Sequence, residues 1–275
     1  MPDDAPEFLT LADGSRLAYY ASPSRNSGGT IPGVVFLGGF MSDMSGIKAT
    51  TLHDWAVRTG HAFLRLDYSG HGLSDGAFRD GTLGGWIDDA WRIIRHAGQS
   101  VPGLGGPLVL VGSSLGGWIM VRLAQRFAAE GDPQRAVGLG GIAAAPDFTA
   151  DLLPERLGIA AMATIARDGF IELPSAYSDA PYTVTQRLID EARAHLVLGG
   201  SIALDMPVRL IHGDADPDVP WTQSQKLMAV LASDDVTLTL VKDGDHRLSS
   251  PRDLERLTAT VAALCASATA SAGGQ

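Results

Sequence analysis

The chain has 275 residues, 45% of them hydrophobic and 19% charged, with a formal net charge of −10 at pH 7. Such a length buries roughly three quarters of the unfolded surface, enough for a single α/β domain spanning 1–275. The acidic balance, with no basic cluster to offset it, argues against nucleic acid and against an anionic membrane surface as partners. The longest apolar run, Leu157–Ala166, is about half of what a bilayer span needs. Cys265 is the single cysteine, so no internal disulfide forms, and the acidic start MPDDAPEFL lacks the basic and apolar regions of a secretory signal. The expected setting is cytoplasmic.

In chain order, Glu7–Ala12 and Arg16–Ser22 flank Asp13-Gly14, which predicts an antiparallel hairpin at a sheet edge. Ile31–Leu37 reads as a short apolar strand ending in Gly38-Gly39-Phe40-Met41, Leu52–Gly60 as a helix and Ala62–Asp67 as a strand. The turn-rich loop from Asp67 to Gly76 follows that strand and belongs near the rim of the sheet's site, with His71 reading as structural. Trp86–Arg95 predicts a helix leading into the most informative stretch.

That stretch is Gly106–Met120. A short apolar run ends on Gly112, Ser114 lies between Gly112 and Gly116, and helical spacing of apolar residues resumes over Gly117–Ala129. Gly-x-Ser-x-Gly between a strand and a helix is a nucleophile elbow, in which the serine occupies a sharp turn and side chains two residues either way would collide with neighbouring backbone. Ser113 is flanked by Val111 and Leu115 and does not fit that frame. The helix start aims backbone N–H groups at whatever Ser114 attacks. A second such donor is expected from the glycine loop after Ile31–Leu37, which assigns the oxyanion donors to the N–H groups of Phe40 and Leu115.

Val137–Ala144 predicts the next buried strand. From about 147 to 204 the strand–helix alternation lapses, through Leu157–Ala166, the turn-rich Leu173–Tyr182 and a predicted helix over Val184–Leu198. An insertion there reads as a small helical cap over the site. Val208–His212 resumes the sheet and leads into a loop with Asp214, Asp216 and Asp218, any of which could serve as the acid of a triad in the order serine, acid, histidine. Val236–Val241 is the last strand, and His246 follows it directly; His212 reads as a brace for the acid loop. A helix over Asp253–Ala266 is expected to close the fold, leaving 267–275 as a frayed tail. Metal-ligand spacing, phosphate loops and dinucleotide fingerprints are absent from the sequence, so neither metal nor cofactor is expected.

The motifs LGGFMSDMSGIKA, RLDYSGHGLSDG, TLGGW, LVGSSLGGWIM, LPSAYSDAPY, PVRLIHGDADPDVPW and GDHR span nearly everything between Phe8 and Leu264. Together they resemble the α/β-hydrolase superfamily, and more narrowly its branch of mitochondrial palmitoyl-protein thioesterase and acyl-glucuronide esterase. The resemblance implies an α/β-hydrolase fold: a mostly parallel central sheet with antiparallel N-terminal strands, helices on both faces and a small helical cap. It carries the nucleophile onto Ser114, the acid onto Asp216 and the base onto His246, and implies a serine hydrolase of carboxylic esters or thioesters acting on a small-molecule or acylated substrate. The start of the chain departs from the branch in lacking a basic, serine-rich transit segment. Other activities fit the same residues: a carbon–carbon bond hydrolase or lactonase on the same triad, or a catalytically silent small-molecule binding protein. Monomer and homodimer are equally compatible with the sequence.

Overall fold

The computed structural model of the protein describes residues 5–26, 31–131, 133–174 and 181–272. Strands β1 (Glu7–Thr10) and β2 (Arg16–Ser22) form the hairpin around Asp13-Gly14. They are followed by β3 (Gly33–Leu37), α1 (Ile47–Thr59), β4 (Phe63–Leu66), α2 (Leu83–Ser100), β5 (Pro107–Ser113), α3 (Leu115–Glu130) and β6 (Arg135–Ile142). Between β6 and the next strand of the main sheet lie α4 (Phe148–Asp151), α5 (Leu153–Asp168), β7 (Phe170–Leu173), β8 (Tyr182–Thr185) and α6 (Gln186–Ala192). The chain then completes β9 (Val208–Gly213), α7 (Thr222–Val230), β10 (Val236–Val241) and α8 (Pro251–Ala272).

The main sheet has the order β1-β2-β4-β3-β5-β6-β9-β10. β2 runs antiparallel to β1 and β4, and every pairing from β4 to β10 is parallel. The strand period of two divides the core between the two faces. Val35, Leu37, Leu108 and Leu110 pack with Trp86, Trp118 and Phe127 from α2 and α3 on one face. Val34, Phe36, Val109 and Val111 pack with Leu52 and Trp55 of α1 and Leu257 and Val261 of α8 on the other. A sheet covered on both sides has strands that read as continuous apolar runs, as β3 (GVVFL, buried throughout) does. Because the strands from β4 onward are parallel, the loops after β3, β5, β9 and β10 all emerge at one edge.

Several boundaries differ from the sequence expectations. α1 starts at Ile47, five residues before Leu52, and α7 was not foreseen. The expected helix over Val184–Leu198 is shorter: Val184 and Thr185 belong to β8, paired with β7, and a 3-10 turn at Arg193–His195 ends the helical stretch. Of the turn-rich Leu173–Tyr182, residues 175–180 lie outside the described residues. The tail expected from 267 is helical to Ala272, because its alanines are the strongest helix formers and simply prolong α8; residues 273–275 lie outside the described residues.

The segment between β6 and β9 has a small core of its own, Leu153, Ile165, Val184 and Ile189. Polar ties close its two ends on each other and hold it to α3 and to the loop after β9. The Asp147 carboxylate accepts from the Val197 and Leu198 N–H groups at 2.8–3.0 Å, and Trp118 Nε1 donates to the His195 carbonyl at 2.9 Å. Arg156 of α5 donates to both the carbonyl (2.9 Å) and the carboxylate (2.8 Å) of Asp218, in the loop after β9.

Candidate active site

Ser114 stands between β5 and α3 at φ 54°, ψ −118°, a backbone region that a residue with a side chain occupies only under constraint. Its N–H donates to Ile142 O at 2.9 Å, and its carbonyl accepts from the N–H groups of Gly117 (2.9 Å) and Ala145 (3.1 Å). The flanking glycines are steric necessities: a Cβ on Gly112 would run into the Gly116 carbonyl, and one on Gly116 into the Leu37 carbonyl. Gly116→Ala is therefore expected to destabilise the fold by about 3 kcal/mol through overpacking against main chain, read as a lowered denaturant midpoint. An unchanged midpoint would mean that the β3–α3 contact yields freely.

The loop after β10 brings His246 to this serine. His246 Nε2 lies 3.1 Å from Ser114 Oγ, and His246 Nδ1 lies 2.8 Å from Asp216 Oδ2. A carboxylate only accepts, so Nδ1–H donates to Asp216 and Nε2 is left as the acceptor for the Ser114 hydroxyl. The Asp216 side chain has no solvent exposure. Burial by itself would raise its carboxyl, but hydrogen bonds from His212, from His246 and from the Val219 N–H outweigh it and hold the group well below the usual carboxylate range. Oδ1 accepts from the N–H groups of Asp218 (2.8 Å) and Val219 (2.9 Å).

Of the three aspartates in this loop, then, Asp216 is the one that meets His246. Asp214 Oδ1 accepts from the Asp243 N–H at 2.6 Å, and Asp218 pairs with Arg156. Asp216, Asp218 and His246 present possible metal-ligand atoms within 4.8 Å of one another. Asp216 and His246 already direct theirs to the hydrogen bonds just described.

Leu115 is the first residue of α3, where an N–H has no carbonyl one turn earlier to bond. The loop carrying Phe40 lies against the elbow: a Cβ on Gly39 would stand 3.4 Å from that of Ser114. A mobile proton, a hydroxyl to carry it from and two main-chain donors beside them are the requirements for attack on a carbonyl carbon.

Residues 34–259 match the model of the alpha/beta hydrolase family. The chain belongs to the α/β hydrolase family. It is 36% identical over 255 residues to the palmitoyl-protein thioesterase ABHD10, mitochondrial, of Mus musculus, covering 92% of this chain and 80% of that protein. The solved structure of mouse alpha/beta hydrolase domain-containing protein 10 superposes with a TM-score of 0.80 at 34% identity, covering 94% of this chain and 98% of the mouse chain. A crystal structure of a protein from Agrobacterium vitis S4 superposes with a TM-score of 0.88 at 40% identity, covering 95% and 98%.

Two histidines of this α/β hydrolase make contacts that the sequence pattern does not specify. His212 is fully buried; its Nδ1 is 2.7 Å from Ser224 Oγ, and its Nε2 is 2.9 Å from Val219 O and 3.2 Å from Asp216 Oδ2. Both Nε2 neighbours only accept, so Nε2 carries the proton and touches the Asp216 carboxylate directly. The signal for it is the four-residue spacing from His212 to Asp216 just past a strand end.

The other is His71, which burial pushes down to about 4 despite its hydrogen bond to Ser69 O. An unfolded imidazole titrates near 6.5, so the folded state disfavours the proton and stability falls as pH drops from about 6.5 toward 4. The urea midpoint is expected to fall less between pH 7 and pH 5 in His71→Gln than in the wild type. Equal falls would show that His71 does not titrate in that window.

Proposed function

We propose that the protein hydrolyses carboxylic esters or thioesters through an acyl-enzyme, with Ser114 as nucleophile, His246 as general base and acid, and Asp216 as the carboxylate that orients His246. The observation that carries this reading is the continuous hydrogen-bonded chain from Ser114 Oγ to His246 (3.1 Å) to Asp216 (2.8 Å) at the strained elbow. As Oγ attacks the acyl carbon, Nε2 takes its proton, and the carbonyl oxygen becomes an oxyanion facing the N–H groups of Phe40 and Leu115. Each such donor is worth about 3 kcal/mol in comparable sites. Collapse breaks the bond to the alcohol or thiol, which leaves with the proton from His246. Water then attacks the acyl-enzyme, giving up a proton to His246, and the acid departs as Ser114 recovers its hydrogen.

The name of the mouse relative supports a thioester among the substrates. The rings of Phe78, Trp86, Phe148 and Tyr182, each within 6.0 Å of that of Phe40, occupy space beside one oxyanion donor and support acyl chains of short to medium length. In this reading the segment from about 147 to 204 is a cap on a single domain and selects the substrate. No helix among the described residues is long and apolar enough to cross a membrane. A cytoplasmic setting is part of this reading.

Intact mass after brief exposure to a fluorophosphonate tests the reading, with p-nitrophenyl butyrate turnover followed in parallel. A single adduct on the wild type and none on Ser114→Ala, together with ester cleavage, is the expected result. Adduct formation undiminished in Ser114→Ala, or neither adduct nor turnover in the wild type, would overturn it.

A further inference from the structure

The motif RLDYSGHGLSDG supplies none of the three reacting side chains, yet its buried polar groups converge on the loop that carries Phe40. Arg65 Nη1 donates to Met44 O at 2.6 Å, and Asp67 Oδ1 accepts from Met44 N–H at 2.7 Å. Tyr68 Oη donates to Gly38 O at 3.2 Å, and His71 Nε2 accepts from Met41 N–H at 3.3 Å. Gly72 permits part of this: a Cβ there would fall onto the Asp67 carboxylate.

His71 is the member that bonds to the residue directly after Phe40. Its Nδ1 lies 3.2 Å from Ser69 O, a pure acceptor, so Nδ1 carries the proton and Nε2 presents a lone pair to Met41. Burial keeps the ring neutral, which that acceptor role requires. The ring is only 3% exposed and meets Tyr68, Phe78 and Trp86 edge-on at 5.0–5.4 Å. Phe78 and Trp86 also hold the ring of Phe40. Met41 sits at φ 56°, a left-handed conformation that a side chain makes unfavourable and that persists only where neighbours impose it. The hydrogen bond to His71 holds the Phe40–Met41 peptide, which adjoins the Phe40 N–H assigned to the oxyanion in the proposed mechanism.

We propose that His71 is a positioning residue for the oxyanion hole, acting through the Met41 amide on Phe40. The proposal rests on the hydrolase reading and on Phe40 as a donor. It separates from a merely structural role because an oxyanion defect weakens every tetrahedral adduct equally. 1,1,1-Trifluoropentan-2-one forms such an adduct: Ser114 Oγ bonds to the ketone carbon, His246 takes the hydroxyl proton, and the ketone oxygen becomes the hemiketal anion.

In His71→Leu, kcat on p-nitrophenyl butyrate is expected to fall about ten- to a hundredfold with KM changed less than threefold, a smaller loss than the roughly hundred- to thousandfold that removing an oxyanion donor outright costs in comparable sites, because the donor is misdirected and not deleted. The inhibition constant of the trifluoroketone is expected to rise by a similar factor, and His71→Gln, whose amide oxygen can accept from Met41, is expected to recover much of both. A kcat within twofold of wild type, or a fallen kcat with unchanged trifluoroketone affinity, would overturn the proposal.

A measurement on the unaltered protein keeps the test open if His71→Leu does not fold. Nitrogen-15 NMR at pH 7 should find His71 protonated at Nδ1 and bare at Nε2, and a proton on Nε2 would overturn the proposal. Failure here with Ser114→Ala inactive leaves the hydrolase reading standing; a wild type without adduct or turnover brings down both.

Discussion

Ser114→Ala is expected to lower ester turnover by about ten-thousandfold to a millionfold, with substrate affinity little changed. Alanine keeps the backbone turn and removes Oγ, so no acyl-enzyme forms and only the oxyanion donors and binding contacts remain to assist water. In comparable triads those remnants still give roughly a thousand- to ten-thousandfold over the uncatalysed rate. Measured kcat on p-nitrophenyl butyrate within tenfold of wild type would mean that another group attacks the carbonyl. The fold should hold, because the Ser114 main-chain bonds to Ile142, Gly117 and Ala145 do not involve the side chain.

Asp216→Asn is expected to cost about ten-thousandfold, and the hydrogen bonds around the carboxylate say why. Oδ1 accepts from the N–H groups of Asp218 and Val219, so the asparagine must keep its carbonyl oxygen there. Its NH2 group then points at His246 Nδ1 and at the Nε2–H of His212. His246 is driven to accept at Nδ1 and carry its proton on Nε2, which can no longer take one from Ser114. The NH2 facing His212 also leaves a buried donor without an acceptor, a loss of about 1–3 kcal/mol visible in the denaturant midpoint. Turnover within tenfold of wild type in a folded Asp216→Asn would show that the carboxylate is not the partner of the base.

Much of this arrangement was legible before any coordinates. Gly-x-Ser-x-Gly, the glycines after β3 and the polar runs after β9 and β10 are all strand-end signals, and a parallel sheet places such ends along one edge without further information. The choice among Asp214, Asp216 and Asp218 was not legible from spacing, because it depends on which carboxylate His246 and His212 reach across the sheet edge; family resemblance favoured Asp216. The β7–β8 hairpin was missed because Val184 and Thr185 continue smoothly into a helical pattern, and only pairing with Ile171 and Phe170 makes them strand. The small residues after Ala266 read as a frayed end, whereas helix propensity carries α8 onward. The loop holding His71 was legible as turn chemistry; its grip on Met41 and Met44 is a long-range fact that no local pattern encodes.

The grasp of Arg156 on Asp218 bears on how this scaffold diversifies. Asp218 is two residues from Asp216 and gives it a main-chain hydrogen bond, so the insertion and the acid loop are joined by a chain of two contacts. Swapping the 147–204 segment for that of a relative therefore reaches beyond the segment itself, into the loop that carries Asp216. A graft without an arginine at this place deprives Asp218 of a donor to both its carbonyl and its carboxylate. Chimeras of this kind should be ranked first by whether they keep that arginine, and only then by the shape of the new segment.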